Sequence, residues 1–260
     1  MCRARFFMVD MTSDLKRKVI ALLDQVFPEY ETLFTDIFGL TSSALLCTCP
    51  TPAEILAVDT EKLIELISVP SHKRFGRQKA EQIRSVAKKS FGVLLGNDAI
   101  SGLIKQYMEH IRFSQQQIME LDENIAALFS KFDTPITTVP GVGPVLGAAI
   151  FSEIGDISRF RSAAKLAAFA GIDPSVRRSG EFSGIRNHMS KRGSPYLRRA
   201  LWQASVIAAL HDPALKAFFQ KKRAQRKSYM NVIGHVTRKM ASIIFAVLRD
   251  RTPYYVPDLN

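Results

Sequence analysis

The sequence predicts an all-α, mainly helical protein in two parts, residues 1–133 and 134–260. Three observations carry this expectation. Apolar residues recur at three- and four-residue spacing through the first half, with little of the alternation a half-buried strand shows. That half contains one unbroken heptad seam. At Thr134-Pro135 small residues, basic residues and turn signals rise together, which marks a domain boundary.

The elements follow in order. Leu15, Val19, Leu22, Leu23, Val26 and Phe27 keep helical spacing, with Ser13 as a candidate N-cap and Pro28 as the interruption. Cys47 to Pro52 reads as a turn. Thr51, Pro52 and Glu54 then form a helix start: a capping hydroxyl, a proline in the first turn and an acid three residues after the cap. That helix is expected to end before Pro70, and another to cover about Gly76 to Ser90.

The strongest periodic signal is Ile104, Tyr107, Ile111, Ser114, Ile118, Leu121, Ile125, Leu128 and Phe132. The spacing alternates between three and four, with Ser114 the one polar member. So narrow a stripe needs a partner helix. The partner is either an earlier helix of this chain or a second copy, and the second choice makes the protein a homodimer or higher oligomer.

Beyond the boundary, helices are expected over Pro144 to Ile154 and over Ala163 to Phe169, the latter capped by Ser162 and stopped at Gly171. Pro174 to Gly193 is a long polar segment. Helices resume over Pro195 to Leu210, Pro213 to about Arg226, and Met230 to Leu248.

Composition excludes several classes. Hydrophobic residues at 47% supply enough apolar material for a core, so disorder is not the main state. No run approaches the roughly 18 uncharged apolar residues of a membrane span, and no secretory signal opens the chain. Cys2, Cys47 and Cys49 are too few and too odd in number for a disulfide framework, so the expected compartment is the reducing cytoplasm. The net charge of +12 is concentrated. Residues 1–130 hold 15 Lys/Arg and 16 Asp/Glu, whereas residues 131–260 hold 21 and 8. Such a half repels itself unless an anion joins it, and nucleic acid is the leading partner.

Two segments carry the candidate chemistry. Thr138 to Pro144 reads VPG-hydrophobic-G before a helix, so Gly141 and Gly143 let a backbone phosphate approach unpaired helix N–H groups. This turn resembles the hairpin of helix-hairpin-helix motifs. Asp173 to Arg199 concentrates hydroxyls, glycines and cations. Arg177, Arg178, Lys191, Arg192, Arg198 and Arg199 can hold phosphates, and a serine among them can attack one if it is activated. Ser194 before Pro195 reads as an N-cap, and His188 as a surface residue.

The stretch VPGVGPVLGAAIFSEIGDISRFRSAAKLAAFAGIDP, then RSG, then SKRGSPYLRRALWQAS, resembles the C-terminal domain of Piv-invertase-like insertion-sequence transposases, also called DEDD transposases or bridge-RNA-guided recombinases. The resemblance covers about Ile136 to Leu248. LLDQVFPEYETLF, PTPAEIL and RFGRQKAEQIR are similar to the family's central coiled-coil region. The resemblance implies a helical coiled-coil region followed by a helical DNA-binding domain, and DNA strand cleavage and exchange in transposition. It implies a serine that becomes covalently linked to DNA, carried to Ser179 in the Ser-Gly pair, with Ser190 in SKRG as second choice. It implies Mg²⁺ held by four acids of an N-terminal RuvC-like domain. Asp10 and Asp14 do not rebuild such a set, so no metal or cofactor is expected in this chain, which reads as a truncated or split transposase. A guide (bridge) RNA is a further partner under the same resemblance.

Two other readings stay open. One is a non-catalytic nucleic-acid-binding remnant, which needs no serine in the arginine loop. The other is a helical scaffold, which needs no phosphate turn.

Overall fold

The first helix, α1 (Cys2–Val26), runs straight through Ser13, the residue expected to cap it. The Ser13 hydroxyl instead donates to Val9 O at 2.8 Å, inside the helix. A serine satisfied by the preceding turn leaves no boundary there. The computed structural model describes residues 1–93, 95–175 and 188–256, together with the backbone of two short strands, β1 (Arg178–Ser179) and β2 (Phe182–Ser183). These strands pair antiparallel, Arg178 with Ser183 and Ser179 with Phe182. Among the described residues all other regular structure is helical.

The chain divides into two compact units, Phe7–Glu120 and Met1–Phe6 with Leu121–Asn260. In the first unit, a 3₁₀ turn (Pro28–Thr32) follows α1, then α2 (Leu40–Thr48), α3 (Pro52–Ala57), α4 (Thr60–Ser68), α5 (Arg77–Lys88) and most of α6 (Asn97–Phe129). The capping box at Thr51 forms as expected. Glu54 N donates to Thr51 Oγ1 at 3.3 Å, and Thr51 N donates to Glu54 Oε2 at 3.2 Å. The single helix expected up to Pro70 is two helices. Asp59 accepts from Glu61 N at 3.0 Å and starts α4 afresh. Helix α2 was not expected at all; its lack of an amphipathic stripe hid it.

Glu54 also ties down α6. Its Oε1 accepts from Ser101 Oγ at 2.8 Å and Lys105 Nζ at 2.6 Å. Burial pushes the carboxyl up, but these donors and Thr51 outweigh it and hold it below its ordinary range. Ile104, Met108 and Ile111 of α6 join Val19, Leu23 and Val26 of α1 in the core of this unit.

The second unit is built around α9 (Pro195–His211), which packs against α7 (Pro144–Ile154), α10 (Pro213–Ala224) and α11 (Tyr229–Asp250). Ala200, Ala204 and Ala208 line its buried face, and their small size lets the neighbouring helices approach. Helix α8 (Ala163–Ala170) completes the set. Ile125 and Phe129, near the end of α6, belong to this core. Arg5 and Asp122 form an ion pair within the same unit.

The heptad seam is therefore mostly consumed inside the chain. Ile104, Ile111, Ser114 and Ile125 are buried, while Leu128 and Phe132 are exposed. Of the two partners open to the seam, the described structure provides the intramolecular one. The change of core falls inside α6 near Leu121, earlier than the boundary expected at Thr134-Pro135. Composition marks where a helix breaks, whereas an unbroken helix passes from one core to the next without any turn signal. No helix among the described residues is long and apolar enough to cross a membrane. Cys2, Cys47 and Cys49 are free thiols, and burial pushes that of Cys49 up to about 12.

Candidate nucleic-acid interface

Helix α8 ends on Gly171, whose left-handed φ of 66° closes the helix and turns the chain outward. Residues 171–175 then pair antiparallel with 188–191. Ser190 N donates to Asp173 O at 2.8 Å, Lys191 N to Gly171 O at 2.9 Å, and Ser175 N to His188 O at 2.7 Å. This stem fixes both ends of the polar segment. A Cβ at Gly193 would lie 2.2 Å from Phe169 O, so the glycine of SKRG is required by the packing of the stem. Ser194 then caps α9, accepting from Leu197 N at 3.1 Å.

The cap decides where the next cations stand. Arg198 and Arg199 lie in the first turns of α9, and with Lys191 they enter one cleft of about 970 Å³ between α9, α11 and the stem. Arg198 donates to Ala170 O at 3.1 Å, which uses one of its five N–H groups. The Arg199 guanidinium lies 4.7 Å from the Phe6 ring centre. Helix α11 contributes Arg238 and His235. Among the described residues no carboxylate lines the cleft, and Lys191, Arg198, Arg199 and Arg238 bring positive charge to it.

His235 Nε2 lies 3.2 Å from Lys227 Nζ. Burial, followed by the charges of Lys227, Lys222 and Arg238, pushes its pKa below the ordinary histidine value. The imidazole is therefore neutral at neutral pH, and Nε2 accepts from the Lys227 ammonium.

The remaining expected residues separate. Arg192 is exposed and lies outside the cleft lining. Ser190 donates its hydroxyl to Asp173 Oδ1 and accepts from Arg192 N at 3.4 Å, so it fastens the stem. Arg177 lies outside the described residues. Arg178 and Ser179 are placed only through the backbone of β1.

The glycine turn splits into two roles. Gly141 has φ of 84°, and a Cβ there would lie 2.3 Å from Ala204 O on α9. Its freedom serves the packing of the turn. Gly143 is exposed, open on its Cβ side, and is the N-cap of α7 with no side chain closing the helix start. Only this second glycine keeps the open helix N-terminus that an anion needs.

Arg238, His235, Trp202, Gln203 and Asn231 line the cleft but were missed by sequence reasoning. The signal was present as two polar stripes. Asn231, His235 and Arg238 share one face of α11, and Arg198 and Trp202 share one face of α9. Which stripe faces which is decided by tertiary packing.

The stem, cleft and capped helix define a helical domain with a cationic groove. Residues 133–220 match the transposase IS116/IS110/IS902 family. The chain is also similar to an uncharacterized 43.6 kDa protein of insertion element IS110 from Streptomyces coelicolor. It is 26% identical over 205 residues, 78% of this chain and 50% of that protein. An uncharacterized 44.8 kDa protein of insertion element IS116 from Streptomyces clavuligerus is 25% identical over 88% of this chain and 58% of its own length. A pilin gene-inverting protein of Moraxella bovis is 30% identical over 60% of this chain and 51% of its own length. The chain thus spans about half the length of these relatives.

The described residues contain no group of three His, Cys, Asp or Glu side chains able to hold a metal ion. The magnesium implied by the family resemblance finds no ligand set among them.

Proposed function

We propose that residues 134–260 bind DNA and take part in strand cleavage and exchange during transposition or recombination. The observation that carries this is the cleft that brings Lys191, Arg198, Arg199 and Arg238 together, with no carboxylate among its described lining residues, in or beside the stretch that matches the transposase family. Phosphates neutralised there release counterions, so affinity should fall steeply with salt. The open start of α7 at Gly143 adds a second phosphate contact.

The nucleophile in this reading is Ser179. Its hydroxyl oxygen bonds to a backbone phosphorus and the bridging O–P bond breaks; the end that keeps the phosphate stays attached to the protein, and the other end leaves as a free hydroxyl, taking up a proton in place of the one the serine gives up. Arg177, Arg178 and the cleft arginines offset the charge on the phosphoryl oxygens. Ser190, whose hydroxyl donates to Asp173 Oδ1, is the second choice. A second copy and a guide RNA are the partners this reading adds. The exposed end of the seam at Leu128 and Phe132 is the apolar surface a second copy would cover.

The test is a covalent adduct assay on a cleavage-competent assembly, after a salt titration of binding. Ser179→Ala should abolish the adduct and leave binding nearly unchanged, since one hydroxyl contributes about 1 kcal/mol. Loss in Ser190→Ala alone would reassign the nucleophile. No adduct in the wild type, with binding intact, would favour the non-catalytic nucleic-acid binder.

A further inference from the structure

We propose that the cleft between α9 and α11 receives a single unpaired nucleotide, with its base against Trp202 and its phosphates on the arginines. The inference deepens the DNA-binding reading and rests on it. Charge alone would hold a duplex backbone from outside. Three features point to a base instead.

The first is Trp202, the one tryptophan of the chain, placed in a cation-lined cleft. It is only partly buried. Among the described residues its indole stacks on no other ring and its N–H has no partner. An aromatic face beside guanidinium groups is the usual platform for a splayed base, and every base offers a matching face. A base within a duplex has both faces covered, so only an unpaired one fits.

The second is the pair Gln203 and Asn231, one on each wall. Among the described residues neither carboxamide makes a hydrogen bond within the chain. Each offers a donor and an acceptor, the complement of a base edge.

The third is Gly234. It sits inside α11, where glycine is unfavourable relative to alanine. Internal packing does not require it. A Cβ there would meet only Met189 Cε at 3.8 Å and Trp202 Cζ3 at 3.9 Å, ordinary contacts. What glycine provides is depth, because a methyl group would fill the cleft floor beside the indole.

A single tryptophan makes the test direct. Emission of the full-length chain is followed while short oligonucleotides are added at fixed salt, with binding measured separately by anisotropy. Single-stranded DNA should quench Trp202, and RNA of the same sequence tells whether ribose is also admitted. A blunt duplex and a strand with abasic sites should bind yet leave emission nearly unchanged. Trp202→Phe should retain affinity, Trp202→Ala should lose roughly tenfold or more, and Gly234→Ala should weaken single-strand binding while raising thermal stability. The Gly234 variant keeps the proposal testable if Trp202→Ala does not fold. Binding of single-stranded DNA by anisotropy without quenching, or equal quenching by duplex and abasic strands, would overturn the nucleotide cleft and leave the DNA-binding reading standing. No binding of any nucleic acid would overturn both.

Discussion

Ser194 Oγ donates to Glu153 Oε2 at 2.7 Å while accepting from Leu197 N at 3.1 Å. One serine thus joins the last turn of α7 to the first turn of α9. Glu153 also accepts from Arg3, with Nε at 2.6 Å and Nη2 at 3.1 Å, and the Arg3 hydrogen bond is the main reason its carboxyl is held below the ordinary range. The start of α9, and so the placement of Arg198 and Arg199, depends on a nearly buried carboxylate.

Glu153→Ala should therefore lower stability by about 1–2 kcal/mol, a discounted figure because Arg3 is largely in water. The pH dependence has a definite sign. A carboxyl depressed in the folded state stabilises the fold above its unfolded pKa, and the contribution is lost as pH falls through the folded value. Denaturant melts of wild type and Glu153→Gln should converge in acid and diverge toward neutral pH. Parallel curves would remove the role of the Glu153 charge.

The two glycines of the turn should respond unequally. Gly141→Ala meets a positive φ and the Ala204 carbonyl, and should cost about 2 kcal/mol or more. Gly143→Ala meets open space and should cost under about 1 kcal/mol, the ordinary difference between these residues at an N-cap. Thermal melts decide this. Equal losses would mean that the turn does not rest on α9 as described.

Asp212 is buried, caps α10 through Leu215 N at 2.7 Å, and accepts from the Tyr254 hydroxyl at 2.9 Å. Burial first, then Asp212, pushes the Tyr254 phenol up to about 12. A phenol with a raised folded pKa adds stability below its unfolded value, lost as pH rises through the folded one. Tyr254→Phe should flatten the alkaline loss between about pH 10 and 12, measured as midpoint denaturant concentration against pH. Asp212→Ala should cost about 1–2 kcal/mol at neutral pH through the lost cap.

How legible these features were depended on their range. Thr51, Ser194 and Gly171 act within one turn of themselves, so their helix ends could be read locally, and α7 keeps the bounds expected from Pro144 and Ile154. Ser13 misled because a serine back-bonded to Val9 looks the same in sequence as a cap. The basic bias located the cleft's half of the chain, and Lys191, Arg198 and Arg199 were named from it. Arg238, His235 and Trp202 were not, because their convergence depends on α9 packing against α11.

The seam gives the last prediction. A polar residue at Ile125 tests the core of the chain itself, because that side chain is 3% exposed and packs in the second unit's core. Burying a carboxylate there without a partner should cost several kcal/mol, so Ile125→Asp should lower the melting temperature sharply. Leu128→Asp and Phe132→Asp alter residues that are 47% and 55% exposed, and should cost far less than Ile125→Asp, with Phe132→Asp the more costly of the two because its ring meets Phe129 and Phe151. Size measurement on the same variants separates packing from assembly. If the wild type self-associates through the outer end of the seam, Leu128→Asp with Phe132→Asp should yield folded monomers. A wild type that is already monomeric would confine the seam to its intramolecular role. A stable, folded Ile125→Asp protein would contradict the packing of α6 into this core.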